Sequence, residues 1–86
     1  LRELTQREVP GAQRAVKQHL ASCEAEQSRM ESARFAYVQN LYGKTHAAQV
    51  AAEMAAAAAR CDTRDRELRS VADSLLAECQ QLGGCK

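Results

Sequence analysis

The larger residues between Lys44 and Leu82 fall on a single helical stripe. Ala47, Val50, Met54, Ala57, Cys61, Arg64, Leu68, Val71, Leu75 and Leu82 follow alternating steps of three and four, with Glu78 filling the remaining slot. That spacing predicts a helix that presents one narrow seam to a partner helix. The stretch contains no Gly or Pro, so no residue in it breaks a helix by its backbone chemistry.

A second seam runs through the first half of the chain: Val9, Gln13, Val16, Leu20, Cys23, Gln27, Met30, Arg34, Tyr37 and Leu41. Leu1 and Leu4 lie out of its phase. The Val9-Pro10-Gly11 stretch is expected to absorb the shift, because Pro begins or kinks a helix. Either a short turn precedes a helix at 10–41, or one kinked helix spans 1–41. Gly43 is expected to end this helix in the left-handed conformation, and Thr45 to cap the next one.

Two helices, about 1–41 and 45–82, give a single all-α domain: an antiparallel hairpin turning at Gly43 and roughly 60 Å long at ~1.5 Å per residue. Folding it there pairs residues whose numbers sum to about 87. Leu20 then faces Leu68, Val16 faces Val71, Gln13 faces Leu75, Tyr37 faces Val50, Met30 meets Ala57 and Leu4 approaches Leu82. Asp62-Thr63-Arg64-Asp65 has the chemistry of a helix cap, which allows a three-helix alternative broken at 62–63. The seam keeps its phase through that point and favours one helix, with 62–63 as the place for a bend.

Composition sharpens this picture. Seventeen of the 86 residues are Ala, and the aromatics are Phe35, Tyr37 and Tyr42 alone. A chain so short of bulk cannot fill a globular core, whereas long helices sharing an extended seam need little volume. Ala48, Ala51, Ala52, Ala55, Ala58, Ala59 and Phe35 lie beside the seams. They form a weakly apolar second face that calls for a third helix, a second copy or a partner.

Acidic and basic residues, 11 and 12 in number, are interspersed and leave a net charge of +1. That balance argues against a nucleic-acid-binding arm. No apolar run approaches the ~20 residues that cross a bilayer, and no membrane partner is expected. Cys23 and Cys61 sit on seam positions, Cys79 and Cys85 at the end of the second helix and in the tail. Buried thiols behave as small hydrophobes, and this placement is read as reduced cysteines in a cytosolic protein.

Candidate chemistry is sparse. His19 and Cys23 are one helical turn apart and Cys61 comes opposite them in the hairpin, but the chain has no Cys-x-x-Cys pair to complete a metal site. The cysteines are read as seam fillers, with no metal or other cofactor expected. Oxidation would bridge Cys23 to Cys61 if their Cα atoms came within ~7 Å. No base stands beside an activated Ser or Cys, and two helices supply no deep pocket, so no enzymatic activity is expected. The densest cationic stretch is Arg60, Arg64, Arg66 and Arg69. These arginines, with Tyr42 and Phe35, are the candidate protein-binding residues. Arg64, on the seam, is read as packing its stem while its guanidinium reaches solvent.

Several short stretches in order resemble tubulin-binding cofactor A, of the tubulin-folding cofactor family. They are Leu1-Arg2-Glu3-Leu4, Gly11 ahead of a basic helix with Val16-Lys17 and Leu20, the turn at Gly43, Ala52-Glu53-Met54, and Arg66-Glu67-Leu68. The family often carries a Pro where this chain has Asp62-Thr63, and it has a third helix. The resemblance implies a monomeric, cytoplasmic, cytoskeleton-associated chaperone that holds β-tubulin by the outer faces of a rod. The alternative is a coiled-coil interaction module of a trafficking, cytoskeletal or secretion scaffold, a homodimer through its Ala-rich face. Small secreted helical hairpins with a Trp-x-Gly turn fit less well, because Tyr42-Gly43 stands at the turn without a Trp.

Overall fold

The computed structural model describes residues 1–38 and 43–86, with the side chains of Tyr37, Val38 and Lys44 left aside. A π-helical turn over Leu4–Glu8 leads directly into helix α1, Val9–Val38, which is followed by helix α2, Lys44–Gln81. The two long helices lie side by side as an antiparallel hairpin measuring 62 × 16 × 15 Å. The all-α hairpin expected from the two seams is therefore the observed fold.

The phase shift at the N-terminus is absorbed before Pro10, not at it. Val9 N–H reaches back five residues to the Leu4 carbonyl, the hydrogen bond of a π turn. Pro10 has no N–H to give, and the wider turn ahead of it relieves the clash its ring would make in a regular helix. A step of five also carries the apolar stripe from Val9 to Leu4. Both are buried, at 4% and 7% exposure. Helix α1 then continues through Pro10 and Gly11.

The seam of α2 departs from the expected one beyond Cys61. Its inward positions are Ala47, Val50, Met54, Ala57 and Cys61, then Asp65, Leu68, Ala72, Leu75, Leu76 and Cys79. Arg64, Val71 and Leu82 are exposed, the last two at 54% and 56%. A strict alternation of three and four averages 3.5 residues per turn, while a straight helix has 3.6 and drifts by ~20° per heptad. One step of four in place of three, from Cys61 to Asp65, corrects the drift. The same drift places Ala12 and His19 inward on α1 and leaves Gln13 and Leu20 at the edge. No helix break occurs at Asp62-Thr63; the Thr63 hydroxyl donates to the Ala59 carbonyl at 3.1 Å and so serves the helix from within.

The register follows from these corrections. Cys23 stands opposite Cys61, so paired numbers sum to 84 at mid-rod rather than about 87. At the far end Leu4 and Val9 pack on Cys79, with Leu75, Leu76 and Cys85 around them. Leu4 thus misses Leu82 by about one helical turn. The expected pairing of Tyr37 with Val50 lies outside the described side chains, as does the seam position Leu41.

Gly43 does not take the left-handed conformation. It has φ −91° and is itself the N-cap of α2, leaving Thr45 inside the first turn. The left-handed glycine is Gly83, with φ 83°. Gly84 N–H donates to the Cys79 carbonyl at 2.9 Å and Gly83 N–H to the Gln80 carbonyl at 3.0 Å, which together make a Schellman cap. A Cβ on Gly84 would lie 2.5 Å from Leu1 Cδ1 and 2.9 Å from Thr5 Oγ1. The cap therefore seats the tail against the N-terminal turn. Gly83→Ala is expected to cost about 1–2 kcal/mol. Gly11→Ala, whose new methyl meets only an Arg14 guanidinium nitrogen at 4.0 Å, is expected to add about 0.5–1 kcal/mol. Thermal unfolding of the two variants should shift in opposite directions.

Candidate functional site

The four cysteines are bridged, not free. Cys23 joins Cys61 across the middle of the rod with Cα atoms 6.2 Å apart, and Cys79 joins Cys85 with Cα atoms 5.3 Å apart. The expectation of reduced thiols is corrected accordingly. Seam positions do bury a thiol, but two of them facing each other between close-packed, Ala-rich helices also come within bridging distance. The second bridge is a product of the cap. The Gly83-Gly84 turn folds Cys85 back over Cys79, whose side chain is fully buried.

Around the mid-rod bridge the helices leave a groove of about 540 Å³. Leu20, Cys23 and Gln27 line it from α1, and Ala58, Cys61 and Asp65 from α2, with Glu24 and Asp62 at its edge. Gln27 Nε2 donates to the Met54 carbonyl at 3.3 Å. His19 Nε2 lies 3.0 Å from the Cys61 carbonyl and 3.5 Å from Cys23 Sγ. Each of these polar side chains crosses from α1 to α2, so the bridge sits between two polar tethers. A smaller groove beyond Leu20 is lined by Val16 and Lys17 of α1 and by Arg69 and Ala72 of α2.

The arginines do not form one patch. Arg60 and Arg64, one turn apart, flank a shallow depression with Ala59, Thr63 and Glu67. Arg69 lies on the other flank, and at ~100° per residue Arg66 points away from both helices' contact. Acidic neighbours offset two of them: Arg64 pairs with Glu67 at 3.0 Å and Arg69 with Asp65 at 2.9 Å. The Arg64 side chain is 60% exposed, so its stem is not packed in the seam. Phe35 stands out at 60% exposure near the end of α1. Tyr42 lies outside the described residues.

His19 is the residue that the sequence pattern places least well. Its seam position is visible only once the 3.6-residue drift is allowed for, because the strict alternation selects Leu20. No protein-family profile, characterised protein or solved structure matches this chain. No helix among the described residues is long and apolar enough to cross a membrane.

Proposed function

We propose that this chain is a non-catalytic interaction module, a covalently stapled helical hairpin that dimerises through the outer face of α2. The observation that carries this reading is a stripe of small, exposed residues on that face: Ala48, Ala52, Ala55 and Ala59. Their steps of four, three and four place them on one line, roughly opposite the inward seam. With only methyl groups in the way, a second helix can approach this line closely along some three turns. The hairpin's own core does not use this surface.

The bridges bear on the compartment. A hairpin held by disulfides suits an oxidising environment, since cytosolic thiols are kept reduced. That supports the scaffold reading over the tubulin cofactor, which the resemblance places in the cytoplasm. It also supports a location other than the cytoplasm.

Light scattering on the oxidised chain is expected to give twice the 9.4 kDa chain mass at high concentration. Ala55→Glu should return it to the mass of one chain while leaving the helical circular dichroism intact. A single-chain mass at all concentrations, combined with capture on immobilised β-tubulin that Arg64→Glu/Arg66→Glu abolishes, would overturn this reading in favour of the cofactor.

A further inference from the structure

The mid-rod bridge has a third ligand-bearing side chain against it that dimerisation leaves unused. Ligand atoms of His19, Cys23 and Cys61 all lie within 4.8 Å of one another, the one such group among the described residues. His19 and Cys23 come from successive turns of α1 and Cys61 from the facing turn of α2. Tetrahedral zinc, with bonds of ~2.3 Å to sulfur and ~2.0 Å to nitrogen, needs its ligand atoms ~3.5–3.8 Å apart. The imidazole Nδ1 stands 4.0 Å from Cys23 Sγ, close to that separation. Opening the bridge lets the second sulfur move out to it by rotation about its own side-chain bonds.

We propose that reduction of the Cys23–Cys61 bridge creates a zinc site with His19, Cys23 and Cys61 as its protein ligands, so that the metal replaces the covalent staple between α1 and α2. The reductant is a dithiol. It passes two electrons and two protons to the disulfide, becomes a disulfide itself, and leaves Cys23 and Cys61 as thiols. Zinc displaces those two protons as the thiolates bind. Two thiolates then balance the dication and the imidazole is neutral, so the partly buried centre carries no net charge. The donor set selects for a thiophilic cation over magnesium or calcium, which require oxygen ligands.

The tautomer is also prepared. When Nε2–H donates to the Cys61 carbonyl, the lone pair sits on Nδ1, 4.0 Å from Cys23 Sγ. A backbone carbonyl on the other ring nitrogen is the usual way a metal-bound His is oriented. The chain supplies three ligands and leaves the fourth to water, and Cys23 and Cys61 both border the mid-rod groove. The sequence pattern alone favours seam fillers and no metal. What the fold adds is the inward rotation of His19 and its contacts with both cysteines.

The test uses the full chain with Cys79→Ser/Cys85→Ser, reduced without oxygen by a phosphine and titrated with Zn²⁺ against a chelating dye, and with Co²⁺ as the spectroscopic probe. One equivalent should bind. Cobalt should give a thiolate charge-transfer band and tetrahedral ligand-field absorption, and zinc should raise the thermal midpoint of the reduced chain. Cys23→Ser/Cys61→Ser should abolish the bands. His19→Ala should weaken binding by more than the ~10–100-fold that loss of an outer hydrogen-bond partner costs. Absence of a one-to-one site, an octahedral cobalt spectrum, or unchanged affinity in His19→Ala would overturn the proposal. Should the Cys79/Cys85 variant lose its helical signal, the same titration on the otherwise unsubstituted reduced chain, with and without His19→Ala, decides between these outcomes.

Discussion

Cys23→Ser/Cys61→Ser is expected to destabilise the oxidised chain by about 4 kcal/mol, the figure that loop-closure entropy gives for a bridge spanning 38 residues. The effect is large because the staple closes a long loop and so removes much of the unfolded chain's freedom. The buried positions along the seam of α2 are mostly Ala, and each contributes little apolar area. The surface ion pairs, such as Arg64–Glu67, add at most a few tenths of a kcal/mol. The Cys79–Cys85 bridge closes a span of only six, and Cys79→Ser/Cys85→Ser is expected to cost about half as much. Denaturant titrations followed by circular dichroism check both. Equal midpoints for the Cys23/Cys61 variant and the parent chain would mean that the helices hold together without the staple.

Leu4→Ala carries the second large effect, about 2–4 kcal/mol. Leu4 is the bulkiest buried side chain among the described residues and closes the end of the rod with Val9 and Cys79, against Leu75, Leu76 and Cys85. Truncating it leaves a cavity that the bridged tail, tied at Cys79 and capped at Gly83, cannot easily collapse into. The instructive comparison is Leu82→Ala. The strict heptad pattern places Leu82 on the seam and opposite Leu4, but it is 56% exposed, so its truncation should stay within about 0.5 kcal/mol. Similar losses for Leu4→Ala and Leu82→Ala in thermal unfolding would restore the pairing read from the sequence and contradict the observed register.

The contrast between Leu4 and Leu82 marks where the sequence pattern stops being a guide. Periodicity identifies two helices, and it identifies the inward positions well from Ala47 to Cys61 in the first half of α2 and from Cys23 to Met30 in α1. Towards the Leu4 end the assumption of 3.5 residues per turn accumulates an error of one residue. It turns Gln13, Leu20, Arg64, Val71 and Leu82 inward, while Ala12, His19, Asp65, Ala72 and Cys79 hold those places. Each wrong choice sits one residue from the right one, or three in the case of Leu82, as drift of a straight helix requires. The pattern also favours bulk. A seam that selects Val71 over Ala72 has the greater apolar content, but close packing of two Ala-rich helices needs the smaller residue inside.

The candidate site is legible in parts. His19, Cys23 and Cys61 are visible as potential ligands from their one-turn spacing and the hairpin, and the 6.2 Å separation of Cys23 and Cys61 meets the ~7 Å condition for a bridge. Whether the thiols stay apart or join is beyond the sequence, because seam burial and bridging make the same demand on residue type. The Cys79–Cys85 bridge depends on a backbone turn at Gly83 whose conformation no side-chain pattern records. The arginine cluster shows the opposite failure, since four nearby positions in the chain face three directions on the helix.

By itself, then, the sequence determined the helical class, the hairpin and its length, because helix propensity, the absence of Gly and Pro from Lys44 to Leu82 and the apolar period are local properties. Tertiary structure alone decided the register, the inward turn of His19 and the two bridges. Those depend on how far a straight helix rotates relative to its partner and on how closely two backbones approach. Both are settled by packing between residues far apart in the chain, which no local pattern specifies.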